Sequence, residues 1–263
     1  MADFTSHAPG TFSWPELSTS DQKAGNAFYS ALFGWAINDM PMGPGDFYTM
    51  YQLRGKPVGA AATQRPDEKQ MGIPPHWNNY VTVKDVDESA KRAESLGGKV
   101  LAPPFDVMDA GRMAVIQDPT GAVFQIWQAN RSIGAMILNE PGALCWTELA
   151  TTDTRAAEKF YTGLFGWTPK HSAPGAPIKY TEFSLGGTPS IGMMPKPKEM
   201  PAHIPSYWMP YFQVATLDAS TAKAKDLGGK VLVGPQDIPN TGRFTIASDP
   251  QGAVFAMFEF TQK

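Results

Sequence analysis

The sequence of 263 residues contains one cysteine, Cys145, and four histidines. A single cysteine cannot close a disulfide within the chain, and it excludes the cysteine clusters that hold structural zinc. No apolar run reaches the ~18 residues that a membrane-spanning helix needs, and the segment from Met1 to Phe12 lacks the apolar stretch of a secretion signal. We therefore expect a cytoplasmic protein that does not bind a membrane.

An excess of basic residues is also missing. The chain has 22 lysines and arginines against 25 aspartates and glutamates, which gives a formal net charge of −3. Binding to a phosphate backbone needs a basic face, and the sequence has no run of lysine and arginine. A nucleic acid is therefore excluded as a partner, and a small molecule is the partner that we expect.

The sequence does contain many turn-forming residues and an internal repeat. Its 25 glycines and 24 prolines favour short strands joined by turns over long helices. Four pairs of segments match at an offset of 131 or 132 residues, namely Phe12–Asp21 with Leu144–Asp153, Phe28–Trp35 with Phe160–Trp167, Leu96–Val100 with Leu227–Val231, and Asp118–Phe124 with Asp249–Phe255. The repeat predicts two homologous domains, at residues 10–131 and 142–262, with a linker at 132–141.

Each half of the repeat has the same predicted order of elements. Alternating apolar residues predict a strand from Phe12 to Thr19, and apolar residues spaced three and four apart predict the helix that follows it. Ser20 or Asp21 is the expected N-cap of this helix, and Asp87 is the expected N-cap of the second helix of the same half. The full pattern predicts an α+β fold of four βαβββ modules, with the helices on one face of mostly antiparallel sheets.

Strand alternation also predicts which side chains lie on the sheet face opposite the helices, which we call the concave face. In the first half these residues are Trp14, Glu16, Asn78, Tyr80, Gln125 and Trp127, and in the second half they are Trp146, Glu148, Met209, Tyr211 and Phe258. Rings around one carboxylate are typical of a small-molecule pocket, so these are the candidate ligand-binding residues. Two other interpretations stay open: the rings merely pack on the sheet, and the glutamates reach backbone donors or water at a strand end.

Glu16 and Glu148 are the candidate catalytic residues. A carboxylate among tryptophan and tyrosine side chains loses hydration, and this loss raises its pKa. A raised pKa favours proton transfer near neutral pH, so either glutamate is suited to act as a general acid or base.

The repeated motifs resemble those of the vicinal-oxygen-chelate superfamily, which includes glyoxalase I, bleomycin-resistance proteins and extradiol dioxygenases. The motifs are Phe28-Tyr29 with Leu32-Phe33-Gly34-Trp35, the segment Val83-Lys84-Asp85-Val86-Asp87, the pair Gly97-Gly98, and the turn Asp118-Pro119-Thr120-Gly121. The chain is most similar to the tandem, four-module glyoxalase-like proteins that are labelled hydroxylases or antigens. The resemblance implies two glyoxalase/bleomycin-resistance-type domains with concave sheets, but no single reaction, since this fold carries many chemistries.

In metal-using members of that superfamily the ligands come from the first, fifth and eighth strands, and they are commonly His, His and Glu. The resemblance places these positions at Trp14, Asn78 and Gln125 in the first half and at Trp146, Met209 and Ala256 in the second. A catalytic divalent ion normally has about three histidine, cysteine or carboxylate ligands, and none of these residues provides one. We therefore expect no cofactor, since a divalent metal would lack its usual ligands. We also expect the first cleft, with its two amides, to be more polar than the second.

Two hypotheses about function follow. The first is a protein that binds a small, partly aromatic or carbonyl-bearing molecule in apolar clefts, without the His/His/Glu metal site. The alternative is an enzyme of the superfamily, of lyase, isomerase or dioxygenase type, in which Glu16 and Glu148 act as general acid or base on a carbonyl substrate. The sequence leaves open whether the protein is a monomer or a homodimer, and whether modules pair within a half or across the halves.

Overall fold

The computed structural model describes residues 3–176, 178–201 and 203–261. The first half contains β1 (Phe12–Thr19), α1 (Gln22–Phe33), β2 (Ala36–Gly43), β3 (Asp46–Leu53), β4 (Lys56–Thr63), α2 (Pro66–Gln70), β5 (His76–Thr82), α3 (Val86–Ser95), β6 (Lys99–Val107), β7 (Gly111–Gln117) and β8 (Val123–Ala129). The second half contains β9 (Leu144–Thr151), α4 (Thr154–Phe165), β10 (Thr168–His171), β11 (Thr181–Leu185), β12 (Thr188–Pro195), β13 (Tyr207–Gln213), α5 (Leu217–Asp226), β14 (Lys230–Ile238), β15 (Gly242–Ser248) and β16 (Val254–Phe260). Each module has the predicted βαβββ order, with α2 as a short additional helix. The predicted end of the second domain, Gln262, lies outside the described residues.

The strands form two sheets of eight strands, one from each half. Their orders are β2-β3-β4-β1-β5-β8-β7-β6 and β10-β11-β12-β9-β13-β16-β15-β14, so the two modules of one half share a sheet. The pairs β1–β4, β5–β8, β9–β12 and β13–β16 are parallel, and the other neighbours are antiparallel. The predicted α+β class is confirmed, and the modules pair within a half. In the part of the chain that is described, no helix is long and apolar enough to cross a membrane.

An aspartate side chain caps the N-terminus of helix α1 and another caps that of helix α3. The predicted N-cap residue is correct for α1 and wrong for α3. Asp21 caps α1 by accepting a hydrogen bond at 3.0 Å from the backbone N–H three residues further on. The prediction that Asp87 caps α3 is wrong, because Asp85 accepts from the Glu88 N–H at 2.9 Å. The helix starts one residue before Asp87, so the Asp87 carboxylate lies in its first turn and pairs with Arg112 instead.

The helix-bearing faces of the two sheets pack against each other. Helix α1 contacts α5, and α3 contacts α4, while the central strands β5 and β8 contact β13 directly, so both helices and strands form the contact between the halves. One core joins Phe28 of α1 to Phe212 and Phe255 of the second half, and another joins Phe124 of β8 to Phe160 of α4. Each half therefore buries its helices against the other half, which leaves the two concave faces on the outside.

A tyrosine from each half reaches into a turn of the other half. The Tyr29 hydroxyl donates to Asp249 Oδ2 at 3.1 Å, and the Tyr161 hydroxyl donates to Asp118 Oδ2 at 2.9 Å. Each hydroxyl also accepts from a tryptophan indole N–H, at 3.1 and 2.8 Å respectively. The second oxygen of each aspartate accepts backbone N–H groups of its own turn. The repeated Phe-Tyr and Asp-Pro-x-Gly motifs thus connect the two halves through buried hydrogen bonds. We call the Tyr29–Asp249 and Tyr161–Asp118 contacts the lock between the halves.

The repeated glycine pair allows the halves to approach closely. A Cβ on Gly98 would lie 2.8 Å from the ring of Phe160, and a Cβ on Gly229 would lie 3.1 Å from the ring of Phe28. These distances are shorter than ordinary carbon–carbon contacts, so a larger residue would push the helix of the other half away. Backbone oxygens of the same half are as close, since a Cβ on Gly229 would lie 2.8 Å from the Ala224 oxygen, so the second glycine of each pair is explained by packing both within and between the halves.

Removal of either tyrosine hydroxyl should weaken this lock. In Tyr29→Phe and Tyr161→Phe a buried indole N–H and a buried carboxylate each lose a partner, so we expect each substitution to lower the free energy of unfolding by about 1–3 kcal/mol. Urea unfolding measures the change. Tyr207→Phe is the control, because among the described residues its hydroxyl makes no hydrogen bond. A Tyr161→Phe variant as stable as the control would contradict the locking role.

Candidate functional site

The strand register places the predicted residues together on the concave face of each sheet. In the antiparallel pair β1–β5, Glu16 lies opposite Asn78, and Trp14 lies opposite Tyr80. The equivalent pairs of β9 and β13 are Glu148 with Met209 and Trp146 with Tyr211. Strand alternation therefore brings one glutamate, one tryptophan and one tyrosine into contact range in each half.

Glu16 is the centre of a hydrogen-bond network in the first half. Its Oε2 accepts from the Tyr48 hydroxyl at 2.7 Å. Its Oε1 accepts from the Tyr80 hydroxyl at 3.0 Å and from Asn78 Nδ2 at 3.3 Å. The indole N–H of Trp14 donates to the Tyr48 hydroxyl at 3.0 Å, which fixes the direction of that phenol. Three donors therefore occupy three of the roughly four acceptor positions of this carboxylate.

Glu148 has the same arrangement in the second half, with one donor fewer. Its Oε2 accepts from the Tyr180 hydroxyl at 2.6 Å, and its Oε1 accepts from the Tyr211 hydroxyl at 2.8 Å. The indole N–H of Trp146 donates to the Tyr180 hydroxyl at 3.1 Å. Because Met209 stands where the first half has an amide, about half of the acceptor positions of Glu148 stay unused by these partners.

Tyr48 reaches Glu16 across a strand with a run of small residues, and Tyr180 reaches Glu148 across a strand that has a glycine at the crossing point. Tyr48 lies on β3, and β4 separates β3 from β1 with the run Gly59-Ala60-Ala61-Ala62. In the second half Gly192 of β12 lies opposite Glu148 in the register. A Cβ at Gly192 would collide with the Tyr180 hydroxyl where it lies in this structure, whereas the first half has Ala60 opposite Glu16 and a differently placed phenol.

These two tyrosines are site residues that strand alternation alone did not reveal. They lie on β3 and just before β11, which do not pair directly with β1 or β9. The signal that could have found them is the repeat, because Tyr48 and Tyr180 are separated by the same 132 residues as Phe28 and Phe160.

The two remaining predicted site residues of the first half are Gln125 and Trp127. Gln125 makes a hydrogen bond within the network, and Trp127 makes one to the linker between the halves. Gln125 Nε2 donates to Asn78 Oδ1 at 2.8 Å and so extends the Glu16 network. The indole N–H of Trp127 donates to the Ser132 carbonyl at 2.9 Å, and the Trp127 ring packs edge-on against Tyr80. The network therefore continues across β5 to β8.

The equivalent region of the second half is apolar. Met209, Tyr211 and Phe258 form a separate cluster with Cys145 and Ala256 on the concave face. Trp146, Tyr207, Phe244, Ile246 and Val254 pack around this cluster. The first concave face is therefore the more polar of the two.

Burial controls protonation in both clusters. Desolvation raises the pKa of Glu16, and it outweighs the hydrogen bonds and the charge of His76, which lower this pKa. Burial likewise raises the pKa of Glu148 against the hydrogen bonds of its two tyrosines. The pKa values of all four tyrosines are raised, first by burial and then by the neighbouring carboxylate. The phenols are thus neutral donors, and both carboxyl groups titrate above the range of an exposed glutamate.

The partners of the glutamates are side-chain donors, so the interpretation that they reach backbone donors does not describe their contacts. The concave face of the first half is closely filled, since Tyr80, Gln125 and Trp127 are each less than one tenth exposed. Two surface pockets of about 180 and 340 Å³ border neither glutamate. A ligand at Glu16 or Glu148 therefore requires a partly exposed side chain of the site to rotate.

The residues at the metal positions implied by the resemblance do not fit a divalent ion. An indole N–H such as that of Trp14 offers no lone pair, and the Oδ1 of Asn78 already accepts from Gln125. Ala256 has no ligating side-chain atom at all. Within the described residues, no group of three or more His, Cys, Asp or Glu side chains is placed to hold a metal ion. The absence of a cofactor stays a prediction.

Comparison with known families and proteins gives consistent matches over the whole chain. The model of the Glyoxalase/Bleomycin resistance protein/Dioxygenase superfamily matches residues 11–126 and 143–257. CFP32 of Mycobacterium bovis, which bears the provisional name of a glyoxylase, is 43% identical over 260 residues and is covered to 98%, as is this chain. The anthracycline biosynthesis protein DnrV of Streptomyces peucetius is 33% identical over 268 residues, with 98% of this chain and 96% of DnrV covered.

Solved structures show the same fold at low sequence identity. A Mn(II)-bound glyoxalase from Novosphingobium aromaticivorans superposes with a TM-score of 0.67 at 15% identity, covering 96% of this chain and 83% of that one. The 2,3-dioxygenase LapB from Pseudomonas sp. KL28 gives a TM-score of 0.66 at 14% identity, with 100% of this chain and 94% of LapB covered. At this identity the likeness concerns the fold alone.

The raised pKa values of the two glutamates predict how stability depends on pH. A carboxyl group whose pKa is higher in the folded chain than in the unfolded chain binds more protons when the chain is folded. Its contribution to the free energy of unfolding is therefore fully present below pH 4.5 and is lost as the pH rises through the folded-state pKa. We expect the free energy of unfolding to fall over this range, and to fall less in the double variant Glu16→Gln/Glu148→Gln. Urea unfolding at a series of pH values measures both slopes.

The control for this experiment replaces Glu94, an exposed residue of α3, by glutamine. We expect this variant to keep the slope of the unsubstituted protein. A double variant with that same slope would show that the two glutamates titrate equally in the folded and unfolded chain, which would contradict the effect of burial.

Proposed function

Because the chain belongs to the glyoxalase/bleomycin resistance protein/dioxygenase superfamily, we propose that each of its concave faces binds a small molecule without a metal ion. Glu16 and Glu148, together with their tyrosine donors, provide the polar contacts in this proposal. The surrounding rings provide the stacking surface. The ligand is a small, partly aromatic or carbonyl-bearing molecule.

The observation that carries this proposal is the presence of one polar cluster at the same place in both halves. In each half a carboxylate accepts from two phenols, and an indole orients one of them. The contacts that lock the halves together involve other residues, so the lock does not need this cluster. Burial of a carboxylate destabilises a fold unless it is fully paired, and apolar residues of similar size pack there at lower cost. Its presence in both halves therefore supports a role other than stability.

The hydrogen bonds favour binding over proton transfer. A general base must lie within hydrogen-bond reach of the proton that it removes. The two oxygens of Glu16 already accept from three neutral donors, which leaves about one acceptor position for a proton of an incoming molecule. Glu16, Asn78 and Tyr48 are half-buried in the first cluster, and Trp146 and Tyr180 are half-buried in the second, where Glu148 is 8% exposed. A ligand of the second face would therefore contact Tyr180 and Trp146 first, whereas a ligand of the first face also meets Glu16.

The second concave face suits a planar ring system that carries a hydrogen-bond donor. Tyr211, Phe258 and the half-buried Trp146 offer ring surface, and Glu148 has acceptor positions that its tyrosines do not use. The related protein DnrV is named for anthracycline biosynthesis, which directs attention to polycyclic aromatic carbonyl compounds. We propose this class of ligand for the second face.

An enzyme is the second candidate function, and the raised pKa of both glutamates favours it. A carboxyl group whose pKa is raised exchanges protons with a carbonyl substrate more efficiently at neutral pH than an ordinary glutamate does. The provisional glyoxylase name of CFP32 indicates the substrates for a first test, namely 2-oxoaldehydes with a thiol. In this alternative, Glu16→Gln and Glu148→Gln abolish turnover and retain binding.

Titration with daunorubicin, an anthracycline, tests the proposal through quenching of its fluorescence. We expect it to bind the unsubstituted protein, and we expect Glu148→Gln to raise the Kd about tenfold, since a hydrogen bond to a charged group is lost. Gly192→Ala should have the same effect, because the added methyl group displaces the Tyr180 hydroxyl. Each titration is run with and without EDTA, and the proposal expects the same Kd in both.

The control for this titration is Glu94→Gln, which removes an exposed carboxyl group far from the site and should leave the Kd unchanged. Binding that Glu148→Gln and Gly192→Ala leave intact would contradict the assignment of the ligand to the second concave face. Loss of binding in EDTA would contradict the metal-free site. Formation of product from a 2-oxoaldehyde and thiol mixture, lost in the glutamine variants, would favour the enzyme.

A further inference from the structure

One polar atom of the first concave face is buried without a partner. Gln125 is 5% exposed, and its Oε1 receives no hydrogen bond from any residue that the structure describes, although the Nε2 of the same amide donates to Asn78 Oδ1 at 2.8 Å. Buried side-chain oxygens are normally paired, and each exception needs an explanation. Gln125 lies beside Tyr80 in the register, so its amide belongs to the face that carries Glu16.

The orientation of this amide follows from the carboxylate at the start of the network. A carboxylate only accepts hydrogen bonds, so Asn78 must turn its Nδ2 towards Glu16 and its Oδ1 towards β8. Gln125 must then present its Nε2 to Asn78, and its Oε1 is the atom that remains. Glu16 therefore sets the direction of two amides and leaves an acceptor at the end of the chain of hydrogen bonds.

The fold does not need these amides. In the second half the same register positions hold Met209, opposite Glu148, and Ala256, beside Tyr211. Both residues are buried in an apolar cluster, and the sheet has the same strand order as in the first half. An apolar pair therefore packs at these positions without an unpaired oxygen, which points to a ligand as the reason for the amides.

We propose that Gln125 Oε1 is the acceptor that selects the ligand of the first concave face, and that this ligand is a neutral ring compound with an N–H or O–H donor. This inference rests on the proposed function, since it takes the concave face to be a binding site. An anionic ligand is disfavoured, because Gln125 Oε1 carries a partial negative charge and the Glu16 carboxylate carries a full negative charge. A cation is disfavoured because Tyr48, Tyr80 and Asn78 already occupy the carboxylate.

The test compares two rigid probes that differ in one donor, 2-pyridone and 1-methyl-2-pyridone. Each is titrated into the full-length ¹⁵N-labelled protein, and the side-chain amide signals of Gln125 and Asn78 report on the site. We expect 2-pyridone to bind roughly fivefold to tenfold more tightly than its methylated form, the range that one neutral hydrogen bond gives. In Gln125→Met this preference should vanish, whereas in Gln70→Met, at an exposed position of α2, it should persist.

Equal affinity of the two probes in the unsubstituted protein would overturn the inference, as would a preference that survives in Gln125→Met. The proposed function is judged separately. If neither probe shifts the two amides while daunorubicin binds at Glu148, the inference fails and the binding function stands. If daunorubicin also fails to bind, both fail.

A second measurement needs no ligand. The double variant Asn78→Met/Gln125→Ala copies Met209 and Ala256 at nearly constant total volume, and it removes the unpaired buried oxygen without leaving Asn78 Oδ1 unpaired, so we expect the melting temperature to rise relative to that of Gln70→Met. A lower melting temperature would show that Oε1 has a partner within the folded chain, which would overturn the inference.

Discussion

A carboxylate that loses hydration on the concave face of a sheet must be given hydrogen-bond donors by its surroundings, and this constraint shapes both halves of the molecule. Two phenols provide the donors at Glu16 and again at Glu148. One phenol comes from the strand opposite in the register, and the other crosses a strand that has alanine or glycine opposite the glutamate. An indole then fixes the second phenol. The small residues of β4, the glycine of β12 and the tryptophans of β1 and β9 are all explained by this one requirement.

The motifs that carry the family resemblance serve a different purpose from the residues of the concave faces. The Phe-Tyr pair, the second glycine of the Gly-Gly pair and the Asp-Pro-x-Gly turn all lie where one half meets the other. They explain why the helices lie between two sheets and why the concave faces are on the outside. The halves agree closely in these motifs and differ at Asn78 and Gln125, where the second half has Met209 and Ala256. The fold is therefore held by the shared residues, and the difference in polarity between the two faces comes from the residues that are not shared.

Much of the fold was predictable, because its signals are local and repeated. The strand of β1, the cap at Asp21 and the four βαβββ modules follow from alternation, capping and the internal repeat. The cap of α3 was misplaced because three acidic residues lie within four positions, and the helix start alone decides which of them caps. The concave face of β1 and β5 was also predictable, whereas Tyr48 and Tyr180 were not, since their hydroxyls reach a strand that is not their neighbour. The lock between Tyr29 and Asp249 joins residues 220 positions apart, a contact that no local pattern contains.

The central claim is that each concave face holds a glutamate whose pKa is raised by desolvation, against the hydrogen bonds of two neutral phenols that lower it. Carbon-13 NMR titration of the Glu16 and Glu148 side-chain carboxyl carbons in the full-length protein measures this directly. The account predicts that both groups titrate with a pKa above the ordinary value of 4.5. A pKa at or below that value for both glutamates would show them to be ordinary solvated carboxylates and would contradict the account.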